Sequence, residues 1–352
     1  MKLTCTKAEL LGPMSRVAAV ANPKSTMPIL ANVLLTVDGG RLSMTCSDLE
    51  SELVSSIPAT GTDGAITVPA RKLMDVVKAM ADAPLSISLE ADRLIVKCGR
   101  SRHQLVTLPA REFPATEATD YTTTVTVPAE ELRGMIERTG FAMAVADVRF
   151  YLNGLMLEVR ADGIRCAATD GHRMAYCGAS GDVLRSIIIP RKAVLEMSRM
   201  IDSGDVEISI SDRGVRVTCG ASVATCRLID GRFPNYEQMA VRPPTTAICN
   251  RQELVDGLRR ASVLSNEKFR GVKLEISHGA IAITSGNAEN DASSEVVDAS
   301  DCAELSAAWK VDYLLDALGA LSCERVELCV EGGQRLYVTD GESVHVVMCL
   351  RM

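Results

Sequence analysis

One short segment of the sequence carries side chains that could do chemistry. Residues 168–173 read ATDGHR and place Asp170 and His172 two positions apart. An aspartate and a histidine can act as general acid and base, or supply two metal ligands. Neither a third ligand nor a nucleophile lies nearby in the sequence. We therefore favour a turn shaped by Asp170 and Gly171 over a metal- or nucleotide-dependent enzyme, which stays open as an alternative.

Other catalytic signatures are missing from the sequence. It contains no G-x-x-x-x-G-K-[ST] phosphate loop, no G-x-G-x-x-G turn, no H-E-x-x-H and no G-x-S-x-G elbow. The four histidines, His103, His172, His278 and His345, are scattered along the chain. These observations predict a protein with no catalytic residue, no metal and no cofactor.

The composition narrows the classes of function. Hydrophobic residues make up 47% and charged residues 24% of the 352 residues, which excludes a disordered or low-complexity protein. Aromatic residues make up 3%, too few for a nucleic-acid binder built on stacking platforms. The net charge of -7 argues against a surface that is basic all over, but it leaves room for a local basic face.

Cysteine spacing and the first residues bear on the cellular compartment. The 12 cysteines form no C-x-x-C pair, and most lie in apolar alternating runs, as reduced core thiols do. Lys7 and Glu9 come too early for the apolar core of a signal peptide, and no run of 18 apolar residues occurs. We expect a cytoplasmic protein that makes no membrane contact.

The elements that must position the ATDGHR segment repeat along the chain. Six amphipathic helices are predicted to begin near Lys7, Pro69, Pro128, Pro190, Asn250 and Lys310. Proline is favoured at the first helical position, because no helix bond is lost there and its φ is preset. Successive starts are separated by 59 to 62 residues, so the sequence comprises six units of about 60.

A longer repeat groups the six units into three pairs. Between the helices the apolar residues alternate, which predicts antiparallel hairpins. Asp48, Asp170 and Asn287 follow matching strands at offsets of 122 and 117 residues. The sequence therefore predicts an α+β fold of three repeated domains, residues 1–122, 123–245 and 246–352. Each domain has two helices packed on antiparallel sheets.

Charge is distributed unevenly over this repeat. The helix segments, residues 7–24, 71–80, 130–139, 191–200, 251–260 and 309–318, carry a combined charge of +5, and the rest of the chain carries -12. A mixed polar face explains any single helix. If the helices line one shared surface, however, they create a phosphate-facing field inside an acidic exterior. No base-reading helix motif accompanies the charge, so this contact would be sequence-nonspecific.

Several long blocks of sequence carry a resemblance to one family. They are residues 141–176, which include DVRFYLNG and ATDGHRMA, residues 230–236 (DGRFPNY), residues 264–272 (LSNEKFRGV) and the terminal VVMCLRM. In their order along the chain and in their residues, these blocks resemble the bacterial DNA polymerase III β subunit, the sliding clamp. The resemblance implies a DNA clamp fold and a non-catalytic processivity factor. Two copies would join head to tail as a homodimeric ring around double-stranded DNA.

The resemblance also implies DNA-contacting positions. These are Lys24, Arg71, Arg149, Phe150, Tyr151, Arg191 and Lys192. Ala146 stands beside this set where some relatives carry a polar residue.

A hydrophobic cleft between the middle and C-terminal domains is implied as well. In the family it receives short peptides from the DNA polymerase III α subunit, the clamp loader and other clamp-motif proteins. The matching positions are Leu152, Thr169, Gly171, His172, Arg173, Met174, Pro234, Met239, Tyr313, Val346, Val347, Met348, Leu350, Arg351 and Met352. Cys349 stands where proline is common and Gln238 where a basic residue can occur, so we expect an altered peptide preference.

The implied dimer contact joins opposite charges at the two ends of the chain, which favours head-to-tail pairing. Its positions are Lys72, Arg100, Arg102, Leu105, Val263, Leu264, Glu289, Asp291 and Glu295. An alternative function is that of a specialised second copy, or decoy clamp, which acts as a protein-interaction or inhibitor-binding hub.

Overall fold

A computed structural model describes residues 1–114, 119–239, 241–266, 269–300, 303–332 and 334–350. Over these ranges the chain forms six α-helices: α1 (Lys7–Ala18), α2 (Ala70–Ala79), α3 (Ala129–Thr139), α4 (Arg191–Met200), α5 (Arg251–Ser262) and α6 (Val311–Gly319). All six predicted helix starts are confirmed to within a residue. Local capping accounts for two of them, because the side chains of Thr6 and Asn250 accept hydrogen bonds from the first-turn amides of α1 and α5.

The role predicted for the prolines is wrong by one position. Pro69 is the N-cap of α2, with φ -53° and ψ 113°, and Pro128 and Pro190 are the last residues of the preceding strands. Each proline therefore ends a strand and comes just before the helix. Its fixed φ suits an extended residue as well as a helical one, so φ alone does not separate the two positions.

The strands account for most of the remaining chain. The first nine are β1 (Lys2–Thr6), β2 (Asn32–Asp38), β3 (Arg41–Ser47), β4 (Ser51–Pro58), β5 (Thr60–Thr62), β6 (Gly64–Pro69), β7 (Pro84–Glu90), β8 (Arg93–Cys98) and β9 (Ser101–Val106). The next eight are β10 (Thr123–Pro128), β11 (Gly154–Arg160), β12 (Gly163–Thr169), β13 (Arg173–Gly178), β14 (Val183–Pro190), β15 (Asp205–Ile210), β16 (Gly214–Cys219) and β17 (Ser222–Arg227). The last eight are β18 (Thr245–Asn250), β19 (Gly271–Ser277), β20 (Ala280–Gly286), β21 (Ala292–Ser300), β22 (Leu305–Lys310), β23 (Arg325–Glu331), β24 (Arg335–Thr339) and β25 (Ser343–Met348).

The chain divides into two compact units. The first comprises residues 1–133 and 192–228, and the second comprises residues 134–191 and 229–352. The first unit holds a five-stranded sheet, ordered β5-β1-β7-β8-β9, and an eight-stranded sheet, ordered β10-β15-β16-β17-β4-β3-β2-β6. The second holds a twelve-stranded sheet, ordered β14-β11-β12-β13-β25-β24-β23-β18-β21-β20-β19-β22. The pairings in these sheets are antiparallel, as the hairpin pattern predicted.

Two apolar clusters cover opposite faces of the twelve-stranded sheet. The helix-side cluster packs α5 and α6 on the sheet around Trp309, whose side chain is fully buried. The far-side cluster includes Met156, Phe233, Tyr236 and Tyr337. Neighbouring residues of one strand alternate between the two clusters, as the two-residue period of a strand requires.

The thiols and the helix lengths complete the description. Every cysteine in the described ranges is free, and most are buried, as the cysteine spacing predicted. Among the helices of these ranges, none combines the length and the apolar character that crossing a membrane requires.

Candidate functional site

The segment that looked chemical in the sequence forms a tight turn between β12 and β13. Asp170 Oδ1 accepts hydrogen bonds from the backbone amides of His172 and Arg173, at 2.9 and 3.0 Å. Thr169 Oγ1 accepts one from the amide of Gly171 at 3.0 Å, and Gly171 has φ +88°, which favours glycine. Asp170 therefore shapes the backbone. We call residues 169–173 the cleft turn.

The same turn recurs along the chain. Side-chain oxygens accept bonds from amides two to four residues ahead at Asp48, Asn287 and Asp340, as they do at Asp170. The offsets between Asp48, Asp170 and Asn287 in the sequence therefore reflect a repeated structural role. The second oxygen of the Asp170 carboxylate accepts a hydrogen bond from the Arg173 side chain at 3.1 Å. Both oxygens therefore bond within the turn, and the carboxylate is not paired with the imidazole ring of His172.

Arg173 fixes the cleft turn to α6. Its guanidinium forms an ion pair with Asp316 and lies over the rings of Tyr313 and Phe141, 4.6 and 5.4 Å from the ring centroids. The ring of His172 is exposed and stacks near Tyr313 at 6.3 Å. A cation held between aromatic faces and carboxylates is strongly oriented, so Arg173 is a rigid part of the turn.

The far-side cluster brings several predicted cleft residues together. Met174 and Val346 are buried members of it, and Met239 is half-buried and packs against it. Residues 229–239, which we call the wall segment, cross this cluster. Within the wall segment the side chains of Phe233 and Tyr236 are buried, and that of Pro234 is half-buried. The cleft turn and the wall segment thus both border one apolar surface, as a peptide-binding cleft requires.

Some other predicted cleft residues face away from this surface, whereas Met348 bonds the cleft turn. Val347 faces the helix-side cluster, on the sheet face opposite to Val346, and Leu152 is buried at 1% exposure. Met348 and Leu350 are half-buried, and their amides donate to the carbonyl oxygens of His172 and Ala308 at 2.9 and 2.7 Å. Arg351 and Met352 lie outside the described residues. Strand alternation separates Val346 from Val347, a distinction that matching by position does not make.

The predicted DNA-contacting loop is held close to the cleft turn. Arg149 forms an ion pair with Asp147 at 2.9 Å and donates to the carbonyl oxygen of Asp170 at 3.2 Å. Hydrogen bonds from Arg149 lower the pKa of Asp147 to about 2. Phe150 is 56% exposed, whereas Tyr151 is half-buried and packs against the far-side cluster. This loop therefore offers the charged Arg149 and the apolar Phe150 to solvent, and the neighbouring Val148 is 96% exposed.

Two basic residues predicted to contact DNA are already paired within the chain. Arg191 donates to the carbonyl oxygen of Met143 at 3.1 Å, near the end of α3. Lys192 forms an ion pair with Asp48 and lies 3.7 Å from Glu196. A phosphate would compete with these partners for Arg191 and Lys192.

The predicted DNA-contacting residues Lys24 and Arg71 are exposed in the first unit. Arg149 and Lys192 of the same predicted set are exposed as well.

Sequence reasoning missed that some helix cations cap neighbouring helices. Lys7 donates to the carbonyl oxygens of Lys78 and Met80, at the C-terminus of α2. Arg251 donates to those of Leu318 and Cys323, next to the C-terminus of α6. A cation at a helix C-terminus satisfies orphan carbonyls and complements the dipole. The signal was available: both residues are the first of their helix and occupy equivalent places in two repeats.

The basic residues of the predicted dimer contact lie on or near an edge strand. β9 is the last strand of the five-stranded sheet. Lys72 and Arg100 are exposed, Leu105 is half-buried, and Arg102 forms an ion pair with Glu90 at 3.2 Å. An exposed edge strand with cationic side chains can pair with another chain.

The acidic and apolar residues of the predicted dimer contact lie in the second unit. Val263 is 77% exposed, Leu264 is half-buried, and Glu289 and Asp291 are exposed. Glu295 lies on β21 and forms an ion pair with Arg260 at 2.7 Å. An exposed valine beside carboxylates suits a contact that is both apolar and charged.

Three repeats of a helix pair on antiparallel sheets, with a basic set of helices, define the class of the DNA clamps. Family models match the N-terminal domain of the DNA polymerase III beta subunit over residues 1–117, its central domain over 126–235 and its C-terminal domain over 242–349. The chain therefore belongs to the family of bacterial beta sliding clamps.

Individual relatives agree over the full length. Beta sliding clamps from Pseudomonas aeruginosa and from Escherichia coli (strain K12) are each 38% identical, with 100% of both chains covered. A crystal structure of the sliding clamp from Pseudomonas aeruginosa bound to griselimycin matches with a TM-score of 0.94, at 38% identity and full coverage of both chains. The predicted family, fold class and function are confirmed. The chain is a DNA sliding clamp of a processivity-factor family, and its partners are DNA and a polymerase.

Proposed function

We propose that two copies of the chain join head to tail into a ring around duplex DNA, and that partner peptides bind the far-side cluster between the cleft turn and the wall segment. The observation that carries the peptide site is the meeting of Met174, Met239 and Val346 in one partly open apolar surface. Flexible methionines suit a site that accepts many sequences. The partners are the DNA polymerase III α subunit, the clamp loader and other clamp-motif proteins.

The DNA contact in this proposal is topological and non-catalytic. A duplex that passes through a closed ring cannot leave without ring opening, so phosphate contacts need only be weak and sequence-blind. The exposure of Lys24, Arg71, Arg149 and Lys192 supports this role, and the internal partners of Arg149, Arg191 and Lys192 keep their contacts loose. Replication takes place in the bacterial cytoplasm, and we propose that compartment as the site of action. The domain limits proposed are 122/123 and 245/246.

The ring would close through two identical contacts. Each joins the cationic β9 edge of one copy to the acidic surface around β21 of the other. The exposed Val263 and the half-buried Leu264 and Leu105 would supply the apolar part.

The first test measures peptide binding. A peptide from the C-terminal tail of the polymerase α subunit is titrated into the wild-type chain and into a variant that lacks residues 348–352. The variant should bind more weakly by about tenfold or more, because side chains and strand bonds at the cleft are lost. Met27→Ala serves as a control, since Met27 is an exposed methionine of the first unit. Equal affinity of wild type and truncated variant would remove the cleft assignment.

A second test addresses the ring. The chain is loaded onto nicked circular DNA by the clamp loader, and the circle is then linearised. A ring held by topology should slide off the linear DNA but remain on the circle. Retention that is equal on both molecules would indicate ordinary binding and contradict the proposal.

A further inference from the structure

A buried arginine joins separate segments on the far side of the twelve-stranded sheet. Arg160, the last residue of β11, is 5% exposed, and its Nε and Nη2 donate to Glu158 Oε2 at 2.7 and 2.5 Å. Glu158 is itself only 6% exposed. Arg160 Nη1 donates to the carbonyl oxygen of Gly181 at 2.9 Å, in the loop between β13 and β14. The guanidinium is thus anchored on one side by β11 and on the other by the loop that joins β13 to β14.

The same guanidinium reaches the wall segment. Its Nη2 also lies 3.1 Å from the hydroxyl oxygen of Tyr236 and 2.7 Å from Glu237 Oε1, so its two N–H groups are shared among three acceptors. The Tyr236 hydroxyl in turn donates to Glu158 Oε2 at 2.9 Å. The hydrogen bond from Arg160 lowers the pKa of Glu237, and burial raises the pKa of Tyr236 to about 12. Near neutral pH Glu237 is therefore a carboxylate and Tyr236 keeps its hydroxyl proton.

Stability alone does not account for this network. Removing two charges from water costs several kcal/mol per ion, and an apolar pair of similar volume is often at least as stable. What a fully hydrogen-bonded arginine adds is a fixed geometry, since its planar fork accepts few arrangements of its partners. Here the partners are the sheet and the wall segment, so the geometry that is fixed is their spacing.

The wall segment has few other polar attachments. At its start, the amide of Ile229 donates to the carbonyl oxygen of Ile188 at 2.9 Å, and at its end the amide of Met239 bonds within the segment, to Tyr236. Over the described residues between these points, the polar attachments to the sheet run through the side chains of Tyr236 and Glu237. Apolar packing also holds Phe233 and Tyr236 down, but it is non-directional and sets no fixed spacing.

We propose that Arg160 is a positioning residue of the peptide site. It lines no part of the cleft, but it holds the wall segment, with Pro234 and Met239, at the spacing from the cleft turn that a bound peptide needs. This inference rests on the proposed function of the cleft. Loss of Arg160 lets the wall segment move, so a bound peptide dissociates faster.

The test uses full-length variants and the α-subunit tail peptide. Arg160→Met alone would leave the buried carboxylate of Glu158 without its cation. It is therefore compared with the double variant Glu158→Gln/Arg160→Met, and with Tyr236→Phe, which removes only the hydroxyl and keeps the aromatic ring. We expect about tenfold weaker peptide binding for the double variant, from the loss of charged hydrogen bonds, and a smaller loss for Tyr236→Phe. The change should lie in the dissociation rate. Tyr121→Phe is the matched control, because it removes a hydroxyl from a half-buried tyrosine of the first unit, whose ring lies under Arg216.

Hydrogen exchange separates positioning from general destabilisation. The amides of Ile229 and Met239 should exchange faster in the double variant, while those of β12 should be unchanged. Peptide affinity within about twofold of wild type in a variant whose wall exchanges faster would overturn the inference. So would lost affinity with an unchanged wall. The Met239→Ala variant tests the cleft itself. The proposed function, and not the role of Arg160, fails if the wild-type chain binds no peptide. It also fails if Met239→Ala and the variant that lacks residues 348–352 both bind the peptide as wild type does.

Discussion

Glu196 shows how one residue can set a pH dependence. Its side chain is buried at 6% exposure beneath α4, and burial raises its pKa from 4.5 to about 7, against the opposing pull of Lys192. Asp48, Lys192, Cys46 and Cys226 face the same pocket. Below pH 4.5 the carboxyl holds its proton in both the folded and the unfolded chain. Between pH 4.5 and about 7 only the folded chain holds it, so the free energy of unfolding falls as the pH rises through this window.

Glu196→Gln should remove that dependence. At about pH 8 we expect the variant to gain on the order of 2 kcal/mol in the free energy of unfolding over wild type, and near pH 4 little or nothing. Urea unfolding at both pH values measures the difference. Glu50→Gln, which changes an exposed carboxyl, should show no such contrast. An equal gain at the two pH values would mean that the carboxyl is not held protonated by burial.

At the scale of an element, the cleft turn can be compared with its copies. The turn after Asp340 makes the same pair of backbone bonds, to Glu342 and Ser343, but lies outside the proposed cleft. Asn287 shows that an amide oxygen serves as well as a carboxylate. The chain therefore supplies its own controls for the turn's two roles, which are to shape the backbone and to present the cleft.

Asp170→Ala and Asp340→Ala should each destabilise the fold by about 1–2 kcal/mol, because two amides lose their acceptor. Only Asp170→Ala should also weaken peptide binding. Asp170→Asn should restore most of both properties. Thermal unfolding and peptide titration measure the two effects separately. If Asp340→Ala reduced peptide affinity as much as Asp170→Ala, the turn would act through overall stability and not through the cleft.

Elements with local causes were predictable from the sequence, and long-range pairings were not. The six helix starts follow from capping residues and apolar spacing within a few residues. The pairing of β4 with β17, which matches Val54 with Val223, and of β13 with β25 has no local signal. These pairs join edge strands of different repeats, and any edge with free amides could have served. The cleft residues could be predicted because the sequence resembles a known family. The Arg160 network could not be predicted, because it joins residues that are far apart in the sequence.

At the scale of the whole molecule, the proposed ring would assemble through charge complementarity between two copies. Arg100 and Arg102 lie at the β9 edge, and Glu289 and Asp291 near β21 are their proposed partners. Surface ion pairs contribute little singly, but a set of like charges that meets an opposite set discriminates between orientations. The ring's lifetime should therefore depend on salt.

Reversing both arginines, as Arg100→Glu/Arg102→Glu, should weaken the dimer by about tenfold or more, because like charges would then face each other. Sedimentation at sub-micromolar concentration would show monomers. Arg41→Glu/Arg213→Glu makes the same change in net charge at exposed sites elsewhere and should leave the dimer unaffected. A charge-reversed dimer that persisted at sub-micromolar concentration would contradict the proposed contact.

The pairing of β13 with β25 also affects when the protein becomes competent during its synthesis. Arg173 pairs with Val347, so a strand of the middle repeat waits for a partner strand that is translated much later. Domains fold as the ribosome releases them, and distant pairings form late. The surface proposed for partner peptides is therefore completed only after β25 has been translated. A half-made copy on the ribosome has no finished cleft with which to sequester polymerase.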